Sequence, residues 1–337
     1  MSRAIAVVGK FGLESLTLVD REDLPPRRGE IAIRMRAASI NYRDLLMVRG
    51  QYNPRQPLPF IPLSDGVGEI TELGEGVQSF ALGERVSPIF AQGYLAGEPT
   101  KEKLATTLGG PLDGVLRERM IVPADSVVRV PSGMSAIAAA TLPCAAVTAW
   151  SALVEQGGLT TGQTVVVQGT GGVSIAALQI AKTMGARVIV TSSSDVKLAR
   201  AQALGADRLI NYKTTPQWGR EVLRLTAERG ADFVVEVGGA GTLSESLRAV
   251  RTGGTIAVIG VLSAAVSEVN VLPILMRNLR LQGVFVGHKE ASQRMIRAYE
   301  TLRIEPVVDR VFSWTSVASA LEYLASGAHF GKICLEF

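Results

Sequence analysis

The sequence predicts a two-domain α/β protein in which a β-rich domain is interrupted by a doubly wound parallel sheet and then resumed. Three observations lead to this prediction. The chain has 337 residues, a length that suits two domains. Residues 1–120 form short strand-like runs broken by turns, as in a small barrel. From residue 164, six strand-like runs alternate with helical runs, which predicts a parallel sheet with right-handed crossovers.

The composition is that of a folded globular chain and argues against several classes of protein. Hydrophobic residues make up 47% and charged residues 20%, which is enough apolar surface for a full core. The net charge of +4 comes without a block of five Lys or Arg residues, so we expect no nucleic-acid partner. Cys144 and Cys334 are too few for a disulfide framework. The N-terminus lacks a signal-peptide pattern, and no run reaches about 18 apolar residues, so we expect a cytoplasmic protein without a membrane span.

The first domain is predicted mainly from strand patterns. Residues 30–37 alternate apolar and polar side chains, which predicts a half-buried strand. Residues 41–49 are a short helix candidate. Residues 91–113 form a polar, glycine-rich insertion, which is either functional or a plain surface loop. The other strand candidates are residues 4–8, 16–19, 66–73, 84–89 and 116–123, and an alanine-rich helical run follows at 134–155.

The second domain opens with a strand, a glycine-rich turn and a helix. Residues 164–168 are a β-branched run, and residues 173–184 have helical periodicity. Gly169, Gly171 and Gly172 lie between them, where a tight turn lets the backbone and the helix N-terminus approach a pyrophosphate. Ser174 stands where the third glycine of the dinucleotide-binding fingerprint is usual. The other reading is an ordinary tight turn between a strand and a helix.

The remaining elements complete the sheet and lead back to the first domain. Strands are predicted at 187–192, 208–211, 232–237, 255–260 and 280–286, with helices beginning near Asp195, Pro216, Gly241 and Val271. Two mononucleotide-binding halves predict the strand order 3-2-1-4-5-6. A helix at 290–301, a strand at 307–312, a helix at 317–325 and a strand at 332–337 follow. The predicted domains are 1–123, 124–287 and a return segment, 288–337.

Several segments together resemble the medium-chain dehydrogenase/reductase superfamily, and within it the zinc-free quinone oxidoreductase branch. They are SINYRDLLMVRGQY (39–52), DGVGEITELGEGVQSFALGERV (65–86), QGTGGVSIAALQIAK (168–182), LGADRLINY (204–212) and HFGKICLEF (329–337). The resemblance implies a GroES-like catalytic domain, a Rossmann domain, and reduction of quinones or activated alkenes by NADPH. It also implies an oligomer. The apolar run 280–286 reads as an edge strand, and we expect it to pair with a second copy in a homodimer.

The same resemblance implies that the chain carries no catalytic zinc. Zinc-dependent members place a cysteine or similar ligand where this chain has Asn41, and His-Glu where it has Ser64 and Asp65. Only Cys144 stands at a ligand position. A catalytic zinc site needs three protein ligands, so we predict none here. Cys144 is then a small buried residue.

The end of the second strand indicates which cofactor is bound. An acidic residue there usually holds the ribose of NAD, but this chain has Ser192 and Ser193, with Lys197 close behind. Hydroxyl donors and a nearby cation suit the 2′-phosphate of NADP(H). Asp195 is read as a helix-start residue. If Asp195 instead held the ribose, the cofactor would be NAD, and the serines would only cap the helix.

The resemblance also implies further cofactor contacts. Thr148 is placed near the nicotinamide ring, although helix packing explains a threonine there equally well. The remaining implied contacts are Val173, Gly238, Gly239, Gly260, Val261, Leu262, Phe285, Val286 and Gly287, with Lys332 approaching the pyrophosphate.

Without a metal, conjugated substrates are favoured on chemical grounds. A quinone or enone already has an electrophilic carbon, and its developing oxyanion needs only hydrogen-bond donors and a proton. Asn41 is the candidate donor, Tyr52 the candidate proton source and Tyr42 its substitute, while Asp44 is read as a structural orienter. Packing explains each of these residues as well.

Two other functions remain open at this point. A zinc-free alcohol dehydrogenase would reduce NADP in the presence of alcohols, and the insertion 91–113 could shape its pocket. A cofactor-binding protein without turnover would need no catalytic segment, which the intact residues 39–46 argue against.

Overall fold

The computed structural model describes residues 1–263, 266 and 268–337. The chain forms two compact units, Met1–Val147 with Gly287–Phe337, and Thr148–Val286. The first division therefore falls at 147, later than the predicted boundary at 123. β7 (Val127–Arg129) pairs with β5 (Arg85–Pro88) in the sheet of the first unit. The helical residues that follow also belong there, since Ala139 and Ala140 pack against this sheet.

The first unit is built on a seven-stranded sheet. Its central strand, β3 (Glu30–Ile40), pairs with three neighbours, and its inner face contributes to a single large apolar core. The sheet order is β14-β15-β3-β4-β5-β7, with β6 beside β3, and a separate hairpin joins β1 to β2. The other bounds are β1 Ser2–Val7, β2 Leu16–Arg21, α1 Tyr42–Val48, β4 Asp65–Leu73, α2 Lys101–Leu104, β6 Arg119–Pro123, α3 Ala136–Ala139, α10 Lys289–Thr301, β14 Val308–Ser313, α11 Val317–Ala325 and β15 Lys332–Glu336.

The C-terminal part of the chain, from Gly287 onward, belongs to the first unit. β15 pairs antiparallel with β3, with Ile333 opposite Ile40 and Cys334 opposite Ser39. The first residue of β15, Lys332, therefore lies beside the end of β3, although 291 positions separate it from Asn41 along the chain.

The second unit is a parallel sheet in the order β10-β9-β8-β11-β12-β13, which confirms the predicted order 3-2-1-4-5-6. The last strand is an edge strand, as predicted, and it ends at Gly283 rather than 286. The bounds are α4 Val147–Trp150, β8 Thr164–Gln168, α5 Gly172–Thr183, β9 Arg187–Ser192, α6 Asp195–Ala203, β10 Arg208–Asn211, α7 Trp218–Leu225, β11 Ala231–Glu236, α8 Leu243–Ala249, β12 Val250–Val258, α9 Leu272–Met276 and β13 Arg280–Gly283.

One helical run has the length and composition of a membrane span. Among the described residues it is Ala136–Glu155, with a mean hydropathy of 1.7. Two π-helical stretches, Leu142–Ala146 and Ser151–Glu155, interrupt it. Because 72% of this span is buried inside the protein, it behaves as a core helix.

Candidate active site and dinucleotide-binding loops

A polar cluster forms where three strands of the first unit end or begin. Asn41 follows the last residue of β3, Asp65 opens β4 opposite Ser39, and Lys332 opens β15. The strand register brings these three side chains together. The cluster combines the catalytic candidate Asn41 with two residues that sequence reasoning had placed in other roles.

Hydrogen bonds connect the cluster in a chain in which each side chain donates to the next, from Lys332 to Asp65. Lys332 Nζ donates to Ile40 O at 2.8 Å and to Asn41 Oδ1 at 2.5 Å. Asn41 Nδ2 donates to Ser64 Oγ at 3.3 Å, and Ser64 Oγ donates to Asp65 Oδ1 at 2.7 Å. The ammonium of Lys332 lies 3.7 Å from Asp65 Oδ2, which closes the ring. Ser64, Asp65 and Lys332 are buried.

This donor set does not fit a catalytic zinc ion. Besides the Asp65 carboxylate it offers an amide and a hydroxyl, both of which are poor zinc ligands, and an ammonium group stands among them. Burial, aided by the Asp65 carboxylate, raises the pKa of the Cys144 thiol above its ordinary value, which disfavours the thiolate that a metal requires. Among the described residues, no group of three or more His, Cys, Asp or Glu side chains is placed to hold a metal.

Asp44 orients the backbone that carries Asn41. Its Oδ2 accepts from Asn41 N at 2.8 Å, and its side chain is fully buried. Its Oδ1 has no hydrogen-bond partner in the described part of the chain. Burial raises the pKa of Asp44 from 3.8 to about 6, against the opposing effect of Arg43. Asp44 thus acts on the start of α1 rather than facing solvent as a free acid.

The raised pKa makes the stability of the first unit depend on pH. Because the folded state holds the Asp44 proton more tightly than the unfolded chain does, Asp44 stabilises the fold below about pH 4, and this contribution is lost as the pH rises through about 6. The difference between the pKa of Asp44 in the unfolded chain and in the folded protein corresponds to about 3 kcal/mol of unfolding free energy. The test compares the Tm of the wild type with that of Asp44→Asn at two pH values. We expect the difference between the two proteins to fall by about 5–10 °C when the pH is raised from about 4 to 7.5. A difference that did not change with pH would contradict this assignment.

The two candidate proton donors lie at the surface of the first unit. Tyr42 is 41% exposed and Tyr52 is 47% exposed. The guanidinium of Arg43 lies 5.2 Å from the Tyr52 ring centre and donates to Leu108 O at 3.0 Å. Arg43, which sequence reasoning passed over, therefore fixes both Tyr52 and the insertion 91–113. The insertion is a structured loop that contains α2.

The glycine turn of the second unit fits a pyrophosphate group. Gly169 has a φ of +69°, which favours glycine. A Cβ added to Gly171 would meet no heavy atom within 4 Å, so the space in front of the loop is open. No side chain caps the N-terminus of α5, which leaves its N–H groups to an anion. Ser174 Oγ donates to Gln168 O at 2.6 Å, which explains why serine is accommodated at the third fingerprint position.

A buried carboxylate organises the point where the strand order reverses. Glu236, at the end of β11, is fully buried and accepts at Oε1 from Gly238 N at 2.8 Å and Gly239 N at 2.9 Å. At Oε2 it accepts from Gln168 Nε2 at 2.7 Å and from Ser246 Oγ. Sequence reasoning missed Glu236 and Gln168. Their signal is that each is a polar residue that directly follows an apolar run and ends its strand.

The second and third strands of the sheet end side by side at the predicted ribose site. Ser192, the last residue of β9, pairs with Asn211 of β10. Asp195 Oδ1 accepts from Asn211 Nδ2 at 2.8 Å, and Ser194 caps α6 by accepting from Lys197 N at 3.4 Å. These contacts favour Asp195 as a helix-start residue. Ser193 is half-buried at the same tip.

The structure places the other predicted cofactor residues in different environments. Thr148 and Val286 are buried, Val261 and Phe285 are exposed, and Val173 and Lys197 are half-buried. A Cβ at Gly260 would lie 2.6 Å from Val237 O, so this position requires glycine. Lys332 donates its ammonium hydrogens to Ile40 O and Asn41 Oδ1 inside the first unit. Its contact with a pyrophosphate stays a prediction.

The fold and the glycine turn define a two-domain dinucleotide-dependent oxidoreductase, and the comparisons agree. The family profile for the alcohol dehydrogenase GroES-like domain matches residues 27–132, and that for zinc-binding dehydrogenase matches residues 172–301. The chain belongs to the medium-chain dehydrogenase/reductase superfamily.

Three similar proteins show how far the resemblance extends. A zinc-type alcohol dehydrogenase-like protein of Schizosaccharomyces pombe is 42% identical over 314 residues, which are 91% of each chain. The acryloyl-coenzyme A reductase of Metallosphaera sedula is 32% identical and covers 98% of this chain and 99% of its own. The crystal structure of an NAD-dependent alcohol dehydrogenase aligns with a TM-score of 0.91 at 33% identity, over 99% of both chains.

Proposed function

We propose that this oxidoreductase is zinc-independent and uses NADPH to reduce a quinone or an α,β-unsaturated carbonyl compound. The observation that carries the proposal is the polar ring of Asn41, Ser64, Asp65 and Lys332, which offers a hydrogen-bond donor and a buried cation where a metal site would need ligands. NADPH, when bound, supplies the hydride. What the chain must supply is stabilisation of the developing oxyanion and a proton.

Asn41 is suited to the first of these tasks. In the described part of the chain, one hydrogen of Nδ2 is bonded to Ser64, and no other bond of Nδ2 occurs. The second hydrogen can therefore be donated to a substrate oxygen. For a conjugated substrate a hydrogen-bond donor is sufficient and no metal ion is needed, because the carbon that accepts the hydride is already electrophilic. Tyr52, about half exposed and held by Arg43, is the proposed proton source.

NADPH rather than NADH is proposed because of the serines at the end of β9. At the tip, Ser193 directly follows the end of β9, while Asp195 opens α6 and accepts from Asn211 Nδ2 at Oδ1. The acryloyl-coenzyme A reductase of M. sedula supports a conjugated substrate, since an acryloyl group is an activated alkene.

Alcohol oxidation is the second candidate, and the names of two relatives favour it. The S. pombe protein is described as zinc-type alcohol dehydrogenase-like, and the aligned crystal structure is described as an NAD-dependent alcohol dehydrogenase. Reduction of NAD by primary or secondary alcohols, with no oxidation of NADPH by conjugated acceptors, would select this function.

The deciding experiment follows oxidation of NADPH and of NADH against an ortho-quinone and a conjugated enal, with and without a chelator. We expect NADPH to be consumed with at least one acceptor at a rate that the chelator does not change. A loss of activity on chelation would overturn the zinc-independent site. A cytoplasmic location stays a prediction, which the two free cysteines fit.

A homodimer through the edge of the parallel sheet is also proposed. All four residues of β13 are exposed, and the adjacent α9 presents Leu272, Leu275 and Met276 to solvent. An exposed edge strand with an apolar neighbour is a pairing surface unless it is covered. A second copy of the chain would cover it by extending the sheet.

Leu275→Asp is expected to convert the dimer to a monomer in light scattering at about 10 µM protein, because it places a charge in the buried centre of this surface. Leu275 is 76% exposed in the isolated chain. The matched control is Leu82→Asp, at a leucine that is 63% exposed in the other unit, which should leave the mass unchanged. A monomeric wild type would refute the proposed dimer.

A further inference from the structure

We infer that Lys332 is a positioning residue that fixes the side-chain amide of Asn41 with its N–H group toward the substrate. The inference deepens the proposed function and rests on it. An asparagine amide can rotate by 180° and exchange its oxygen and nitrogen at almost no cost in shape. Only its hydrogen-bond partners decide which end presents a donor.

Lys332 imposes the orientation from one side. Its ammonium has three donors and no acceptor, so the atom that faces it at 2.5 Å must be the amide oxygen of Asn41. A rotated amide would set N–H against N–H at this position. Nδ2 is thereby directed away from Lys332.

Asp65 imposes the same orientation from the other side. The Ser64 hydroxyl has a single hydrogen and donates it to the Asp65 carboxylate at 2.7 Å. Only lone pairs are then left on Ser64 Oγ for Asn41, so the atom 3.3 Å away must be a donor. Both ends of the chain of hydrogen bonds therefore select one amide orientation, and a rotation would break both bonds to Asn41.

The backbone before Lys332 is shaped to bring the ammonium to this place. Gly331 has a φ of +81°, and a Cβ there would lie 2.5 Å from Val307 O. Any other residue would push the start of β15 away from β14. The side chain of Lys332 is 5% exposed, and its ammonium also donates to Ile40 O, the last carbonyl of β3. Lys332 is thus fixed by the sheet itself.

Two Asn41 variants test what Asn41 contributes. Asn41→Asp keeps an oxygen for Lys332 and removes the Nδ2 donor, whereas Asn41→Ala removes both. We expect both variants to lower kcat with the best acceptor by about 100-fold, the usual cost of losing an oxyanion donor. Retained activity in Asn41→Asp would show that the amide oxygen, not the nitrogen, is used, and would overturn the inference.

A kinetic double-mutant cycle tests Lys332 itself. Lys332→Met is expected to lower kcat about tenfold or more, because the amide is then free to rotate, and Lys332→Arg is expected to recover part of this loss. In Asn41→Ala, Lys332→Met should have almost no further effect on kcat. Additive losses would show that Lys332 acts independently of Asn41 and would refute a positioning role.

Binding of NADPH, measured by quenching of protein fluorescence, separates this role from a pyrophosphate contact. Lys332→Met should leave the Kd for NADPH within about threefold of the wild type. The matched control is Lys182→Met, which removes a lysine that is ion-paired to Asp207 in the second unit and should have an equally small effect. A rise of about tenfold or more in Lys332→Met alone would instead assign Lys332 to the cofactor.

The stability of the same variants keeps the inference testable if no acceptor is turned over. The loss of Tm caused by Asn41→Ala should be smaller when Lys332 is already Met, since the bond between them is then absent, whereas the contribution of the bond to Ser64 remains. This cycle requires no activity. If the two substitutions are coupled in their effects on Tm but the wild type is inactive, only the proposed function is contradicted. If their effects on Tm are independent, the inference about Lys332 is contradicted.

Discussion

Glu236→Gln is expected to lower the Tm of the second unit by about 5–10 °C and to raise the Kd for NADPH about tenfold or more. The carboxylate of Glu236 accepts hydrogen bonds on both oxygens and is fully buried. A glutamine would turn an NH₂ group toward at least one of these donors. Leaving buried donors unsatisfied costs about 1–3 kcal/mol for each group, which gives the expected loss of Tm.

Cofactor binding should weaken because Glu236 holds the loop that follows β11. The N–H groups of Gly238 and Gly239 and the hydroxyl of Thr242 all converge on Oε1 at 2.5–2.9 Å. Ligands of open parallel sheets bind at the point where the strand order reverses, and this point lies between β8 and β11. A loop released from Glu236 would have to be ordered again by NADPH, at a cost in affinity.

The control for this prediction is Glu221→Gln, the same chemical change in an exposed ion pair with Arg224 of α7. Exposed pairs contribute little, so its Tm should lie within about 2 °C of the wild type. Titration calorimetry and thermal unfolding check both quantities. A Glu236→Gln protein as stable as the wild type would mean that the network is not needed to hold the loop.

Ser193→Asp is expected to raise the Kd for NADPH about 100-fold while changing that for NADH less than about threefold. The new carboxylate would stand at the end of β9, where it would repel a 2′-phosphate and accept a hydrogen bond from a 2′-hydroxyl. Hydrogen bonds to charged groups contribute about 1.5–3 kcal/mol, and their loss together with the repulsion accounts for the expected change.

A charge placed three residues further on is the control for this change of cofactor. Val196 lies in α6, just after Ser193, and is highly exposed. Val196→Asp therefore adds the same charge without facing the ribose site. It should alter the Kd for NADPH by less than about threefold. Equal losses for NADPH and NADH in Ser193→Asp, or no change in either, would contradict the proposed 2′-phosphate site.

Local sequence patterns predicted the second unit well. The strands at 164–168, 187–192 and 208–211 have the predicted bounds, and the strand order follows the predicted topology. β8 and β9 are buried, and their β-branched runs are continuous and end at polar residues. The irregular strand β12 begins five residues earlier than predicted, at Val250, because its pairing with β11 is interrupted by a bulge.

The candidate site was predicted only where its residues are neighbours along the chain. The candidates Asn41, Tyr42, Asp44 and Tyr52 come from one short segment, in which Asp44 accepts a hydrogen bond from the backbone N–H of Asn41. Arg43 lies in that segment too, but nothing local indicates that it would bond to the carbonyl of Leu108, 65 residues away. Hydrogen bonds between distant segments leave no periodic signal in either one.

By itself, the sequence determined the two-domain architecture, the order of the parallel strands, the glycine turn and the return of the C-terminal strand. These features arise from hydrophobic periodicity and from turn residues, which act over a few neighbouring positions. Only the tertiary structure decided that Lys332 belongs with Asn41 and Asp65, and that Gln168 and Glu236 share one buried network. Strand register and burial set these contacts, because a lone buried polar group must find whichever partner the fold brings beside it.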